Sequence, residues 1–216
     1  IIDYIASKKK PVLLATGASD IGEVHLAMNT IMQHTQDIIL MQCNTNYTAS
    51  LDNFKYINLN VLKEYKNQYP EVILGLSDHT PGHATVLGAI TLGARVIEKH
   101  FTDNIIREGP DHKFSMDFNA WRDMVDRARE LEYALGTSLK KVEDNEKETI
   151  VLQRRAIRAK KNLREGSIIT IGDLEFLRPC PKNALPPYLM HKILGTNLCR
   201  SIKAGDSFLL SDLEIK

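Results

Sequence analysis

The sequence has almost no net charge: 28 lysines and arginines stand against 27 aspartates and glutamates, leaving +1 at neutral pH. No overall positive field is available for nucleic acid or an anionic membrane, so neither is an expected partner, although a local anion site is compatible with this balance. Cysteine is scarce as well. Cys43, Cys180 and Cys199 are odd in number, far apart and without CxxC spacing, which argues against a zinc site or redox pair and for a reducing compartment. Cys43 sits in the apolar run IILMQC and reads as a small buried thiol. No apolar stretch approaches the roughly 20 residues that span a bilayer. At the N-terminus, IIDYIASKKK, the charges follow the apolar residues, the reverse of a signal peptide. The expected location is the cytoplasm. What is present is ordinary for a globular chain of 216 residues, 43% apolar, with room for one medium domain and a small one.

Four apolar runs of strand length stand out: PVLLAT (11–16), DIILMQC (37–43), EVILGLS (71–77) and ARVIEKH (94–100). They do not alternate with polar residues, as expected of parallel strands covered by helices. Between them the spacing predicts helices. Residues 21–33 carry Ile21, Val24, Met28, Ile31 and Met32 on one stripe behind Asp20 as N-cap. Residues 51–69 carry Phe54, Ile57, Leu62 and Tyr65, and residues 83–92 carry Ala84, Leu87 and Ile90. Residues 119–135 carry Trp121, Met124, Val125, Ala128, Leu131 and Leu135, closed by Gly136. Strand and helix thus alternate four times, and the turns after the strands hold nearly all reactive side chains. A βα barrel puts its chemistry at the C-terminal ends of its strands, and a doubly wound sheet puts it at a switch point; pattern alone leaves both open.

Residues 140–148, KKVEDNEKE, are too charged to build a core and read as a solvated linker or helix end. The expected organisation is a first domain over 1–139, a charged linker over 140–150 and a second domain over 151–216. That second domain has an internal echo, LREGSIITIGDLE (163–175) against IKAGDSFLLSDLE (202–214), which predicts a small pseudo-symmetric β-rich unit.

His79 in GLSDHT and His100 in IEKHF end successive strands. Neighbouring strands lie about 4.8 Å apart, so both imidazoles can reach one point and start a divalent-metal site completed by water or substrate oxygen. The alternative is that each histidine only bonds its own loop. Glu98, two residues before His100, points to the same face and requires a partner there: a lysine, a metal-bound water or a substrate hydroxyl. Ser77 and Asp78 precede His79, but neighbouring side chains diverge, so this is no hydrolase triad. The Ser77 hydroxyl suits phosphate. TGAS after the first strand is a weaker anion-loop signal, explained equally well as a tight turn with a capping serine. Asp111 in GPDH can accept from sugar hydroxyls or simply form a turn. His83 reads as a cap-region residue and Met116 as core.

The motifs LLATGAS, LMQCNTNY, GLSDHT, GARVIEKHFT, REGPDHKFSM, RRAIRAKKNLREG and FLRP resemble, in order, those of the sialic-acid synthases, including the synthases of legionaminic and pseudaminic acids. The resemblance implies an α/β fold, the C-terminal half of a TIM-type (β/α)8 barrel followed by a small β-rich SAF (antifreeze-like, β-clip) domain. It implies a transferase that condenses phosphoenolpyruvate with an N-acylated amino sugar, N-acetylmannosamine or a diacetamido-trideoxyhexose. The products would be a nine-carbon 2-keto acid and phosphate. His79 and His100 would hold a divalent metal, manganese in first place with magnesium or cobalt as alternatives. Glu98 would be catalytic, Ser77 would bind phosphoenolpyruvate, and Tyr47, Asp111 and Arg178 would meet the sugar. Arg178, in FLRP, would be lent to a partner in a domain-swapped homodimer. Thr45, Thr48 and either Arg154 or Arg155 depart from the neuraminic-acid pattern and favour a modified sugar. The resemblance starts near the family's fifth barrel strand, so one sheet face and two edges are expected to lack cover. A non-catalytic module for sugar binding or subunit pairing is the alternative.

Overall fold

The computed structural model describes residues 1–214, which divide into two compact units, Ile1–Thr137 and the residues from Ser138 onward. The first opens with a short helix, α1 (Ile2–Ala6), and continues as β1 (Val12–Ala15), α2 (Ile21–Met32), β2 (Ile38–Cys43), α3 (Val61–Gln68), β3 (Ile73–Asp78), α4 (Ala84–Thr91), β4 (Ala94–Lys99) and α5 (Phe118–Leu135). The four strands are parallel and adjacent in chain order, with Leu14 opposite Leu40, Leu40 opposite Leu74 and Ser77 opposite Glu98. That order contains no reversal, so this sheet has no switch point of the doubly wound kind.

Alternation along the strands divides the side chains between two unequal faces. Leu14, Ile38, Leu40, Leu74, Leu76 and Ile97 pack against Val24 and Met28 of α2, Leu62 and Tyr65 of α3, Val86 and Ala89 of α4 and Met124 of α5. The other face has no such cover, and Leu13 and Ile73 there are 52% and 49% exposed. Met41 on this face stays buried because it lies over Gly75, where a Cβ would run into its side chain.

One local expectation needs correction, and of the two cap residues named for the turn after β1, Asp20 and a serine, the first is borne out. Residues 51–69 do not form one helix. Ser50 caps a 3-10 turn over Leu51–Tyr56, the chain turns at Asn58 in a left-handed conformation (φ 49°), and α3 starts at Val61. The apolar spacing survives the break because Ile57 and Leu62 are both buried across it. At TGASD the cap is Asp20 and not a serine: Asp20 accepts from the Glu23 N–H at 3.0 Å, and the Glu23 carboxylate accepts from the Asp20 N–H at 2.9 Å.

In the second unit the charged segment carries a 3-10 turn, Asp144–Glu146, and α6 (Lys147–Gln153). A small barrel-like core of Ile157, Ile169, Leu185, Ile193 and Phe208 follows, with β5 (Ala156–Ala159) antiparallel to β6 (Leu174–Leu177). The two sequence copies are related by pseudo-symmetry. Leu163 and Ile202 exchange reciprocal backbone hydrogen bonds of 2.8 and 2.9 Å, as residues on a two-fold axis do. Gly166 donates to Leu198 and Gly205 to Ala159, both glycines at positive φ, 75° and 86°. Each copy ends in a capped turn whose aspartate takes a cation, Lys161 to Asp173 at 2.8 Å and Arg200 to Asp212 at 2.6 Å.

Candidate active site

The C-terminal ends of β2, β3 and β4 bring together most of the residues singled out by sequence. Ser77 and Glu98 sit opposite each other in register and project to the uncovered face, where the serine hydroxyl donates to Glu98 Oε1 at 2.8 Å. Within the chain the partner of Glu98 is therefore this hydroxyl and not a lysine. Ser77 itself is only 4% exposed.

Asp78 and Lys99, one residue further along, turn to the helix-covered face. They form an ion pair of 2.7 Å with both side chains 0% exposed. The pair is well supplied with hydrogen bonds: Thr80 donates from its N–H and hydroxyl to Asp78, Thr85 donates its hydroxyl at 2.6 Å, and Lys99 also donates to the Thr80 carbonyl at 2.7 Å. His79 lies between these anchored neighbours, so its backbone is held from both sides.

The His79 ring is buried, and its Nδ1 lies 2.9 Å from the Asn44 carbonyl. A carbonyl only accepts, so Nδ1 carries the proton and Nε2 keeps its lone pair. The half-buried His100 ring has its centroid 5.1 Å from that of His79, and its Nδ1 is 3.7 Å from Asp111 Oδ2. Tyr47, half exposed, sets its ring edge-on to His79 at 4.5 Å. Arg178 belongs to the second unit, on the exposed loop after β6.

Two residues at this mouth were not expected. Cys43 is not a thiol lost in the core; it ends β2 directly opposite Ser77. Burial works to raise its pKa, but the neighbouring His79 imidazole and the Ser77 and Thr45 hydroxyls outweigh this and hold the thiol below its ordinary value. The nearby Cys43 thiol raises His79 in turn, against burial and with help from the Asn44 carbonyl. Alternation counted back from the strand end would have placed Cys43 here, since it shares a face with Met41. Gly17 of TGAS packs so close to Thr45 and Cys43 that a Cβ would collide with the Thr45 hydroxyl. Phe114, 2% exposed, packs edge-on to both imidazoles at 5.8 and 4.9 Å.

The donor set suits a divalent cation only in part. Among the described residues no group of three or more His, Cys, Asp or Glu side chains could hold a metal ion. Two imidazoles, one of them held through its Nδ1–H on the Asn44 carbonyl so that Nε2 stays free, fit a site whose remaining positions go to water or substrate oxygens.

Fold and site define an α/β unit with a pair of imidazoles at neighbouring strand ends, joined in sequence to a duplicated β-rich unit. Residues 1–140 match the NeuB family and residues 154–214 the SAF domain, and the chain belongs to the NeuB family. It is 34% identical over 218 residues to the N,N'-diacetyllegionaminic acid synthase of Legionella pneumophila and 30% identical over 214 residues to the pseudaminic acid synthase of Campylobacter jejuni. Each alignment covers 99% of this chain and 60% of the relative, so the chain spans about three fifths of their length. Among solved structures it is similar to an N-acetylneuraminic acid synthetase of Leptospira borgpetersenii, with a TM-score of 0.61 at 26% identity, covering 69% of this chain and 51% of that one. No helix among the described residues is long and apolar enough to cross a membrane.

Proposed function

We propose that this chain is the metal-binding and acid–base portion of a synthase that joins phosphoenolpyruvate to the open-chain aldehyde of an N-acylated amino sugar, releasing phosphate and forming a nine-carbon 2-keto acid. The observation that carries the reading is the pair of imidazoles 5.1 Å apart beside a carboxylate, at adjacent strand ends. His79 and His100 would hold a divalent cation, manganese first and magnesium or cobalt as alternatives. Such a cation polarises a carbonyl oxygen and makes its carbon a better electrophile. Glu98, hydrogen-bonded to Ser77, would handle a proton at the reacting carbons. Ser77 would turn its hydroxyl from Glu98 to a phosphate or carboxylate oxygen of phosphoenolpyruvate. Tyr47 and Asp111 flank the imidazoles and suit sugar hydroxyls. Arg178 would act on the site of a second copy in a domain-swapped homodimer. The names of the two curated relatives favour a diacetamido sugar over N-acetylmannosamine.

We read the sheet as the C-terminal half of a (β/α)8 barrel. Its sequential parallel order, helices on one face and exposed apolar residues on the other all support this. Four further β/α units, in the same polypeptide or another, would complete it.

The test is phosphate release from phosphoenolpyruvate with manganese and a diacetamido sugar, using the chain together with the N-terminal barrel half of the Legionella relative. The expected result is release that needs both pieces and falls at least about 100-fold in Glu98→Gln, the lower end of general acid–base contributions, with none in His79→Ala. Release that survives His79→Ala sinks the reading. The uncovered face also suits a second reading, a non-catalytic module that binds sugar or pairs subunits. Sugar binding without phosphate release in the completed assembly would favour it.

A further inference from the structure

Phe114 is among the largest fully buried side chains of the molecule, yet it is not part of the apolar core of its unit. It packs instead against the rings of Tyr47 at 5.6 Å, His79 at 5.8 Å and His100 at 4.9 Å. It meets the two imidazoles at interplanar angles of 84° and 69°, the edge-on geometry that aromatic pairs prefer.

The two imidazoles are not equally restrained. His79 has a hydrogen bond of 2.9 Å from Nδ1 to a carbonyl, which fixes its rotation. For His100 the nearest anchor is Asp111 Oδ2 at 3.7 Å, beyond hydrogen-bond reach, on a side chain that is itself 53% exposed. The orientation of His100 is left to the surfaces it packs on, and the closest aromatic one is Phe114. The loop that carries Phe114 is fixed to the same strand end: Met116 donates to the His100 carbonyl at 2.8 Å, and Thr102 donates to the Met116 carbonyl at 3.0 Å. Ser115 caps the preceding turn by donating its hydroxyl to the Asp111 carbonyl at 2.7 Å. Phe114 is thus delivered to the His100 ring by backbone bonds to His100 itself.

We infer that Phe114 is a positioning residue: it holds the His100 imidazole at the angle needed to share one cation with His79, in the role that a second-shell hydrogen bond plays for His79. This rests on the metal reading above. Packing replaces hydrogen bonding at the second ligand, so the two histidines should respond differently to the loss of Phe114.

The experiment titrates the full chain with cobalt(II), which binds imidazole more tightly than manganese and shifts the ring-proton resonances of each bound histidine. The unsubstituted chain is expected to take up one ion and shift two imidazole spin systems, assigned with His79→Ala and His100→Ala. Phe114→Ala is expected to bind about 10- to 100-fold more weakly, the usual cost of losing a second-shell partner, and to keep the shifted His79 signals while losing those of His100. Phe114→Leu keeps the bulk without the ring edge and serves if the alanine variant fails to fold; it is expected to show the same selective loss. A merely structural phenylalanine would lower the melting temperature but leave both imidazoles shifted and the affinity unchanged in the folded protein, and that result overturns the inference. No uptake by the unsubstituted chain overturns the metal reading itself, which is a different outcome.

Discussion

Asp78 and Lys99 set an ion pair where water does not reach, and the surrounding threonines satisfy what the pair leaves over. Removing one charge strands the other, which typically costs about 3–5 kcal/mol. Lys99→Met is therefore expected to lower the urea midpoint sharply, while the double variant Asp78→Leu, Lys99→Met recovers much of the loss; equal loss in both variants would show that shape and not charge decides. The strand register makes the pair legible in the sequence. Alternation that sends Ser77 and Glu98 to one face sends Asp78 and Lys99 to the other, and opposite charges under a helix must pair. Strand ends mark His79, His100, Glu98 and Ser77 in the sequence, and the structure brings their side chains to one mouth; Tyr47, named only through the family resemblance, lies against His79. Phe114 was not legible. It lies in a loop with no periodicity, and only the return of Met116 to the end of β4 explains where it points.

At the scale of elements, the capped turns of the second unit show how one short motif is held. Lys161 first, then the hydroxyl and N–H of Thr170, hold the Asp173 carboxyl down to about 2. A depressed folded-state pKa stabilises at every pH above the ordinary carboxylate value near 4, and that contribution disappears as the pH falls from about 4 towards 2. Thermal melts between these limits are expected to decline for the unsubstituted protein and to be flatter for Asp173→Asn, which starts lower at neutral pH. A parallel decline in both would remove Asp173 as the cause. The duplicated unit was legible because its two copies share turn glycines and the Asp-Leu-Glu ending. The helix break at Asn58 was not, since a 3.6-residue period counts buried positions and is blind to one left-handed residue between them.

On the scale of the whole molecule, the helices α2 to α5 cover one face of the sheet and leave Leu13 and Ile73 open on the other. Their replacement by lysine should cost the chain alone no more than about 0.5 kcal/mol, the usual range for exposed positions. The same changes should abolish phosphate release in the assembly with the complementary barrel half. Retained release would mean that this face is not covered in the working protein. The uncovered face was foreseen, because four strands apolar on both sides have helices enough for only one. The second unit is the opposite case, since its halves close upon each other through Leu163 and Ile202. Any substitution made in one copy, at Lys161 for instance, has a matched site in the other, at Arg200. The protein therefore contains its own control experiment, in which sequence context changes while geometry, solvent and temperature stay the same.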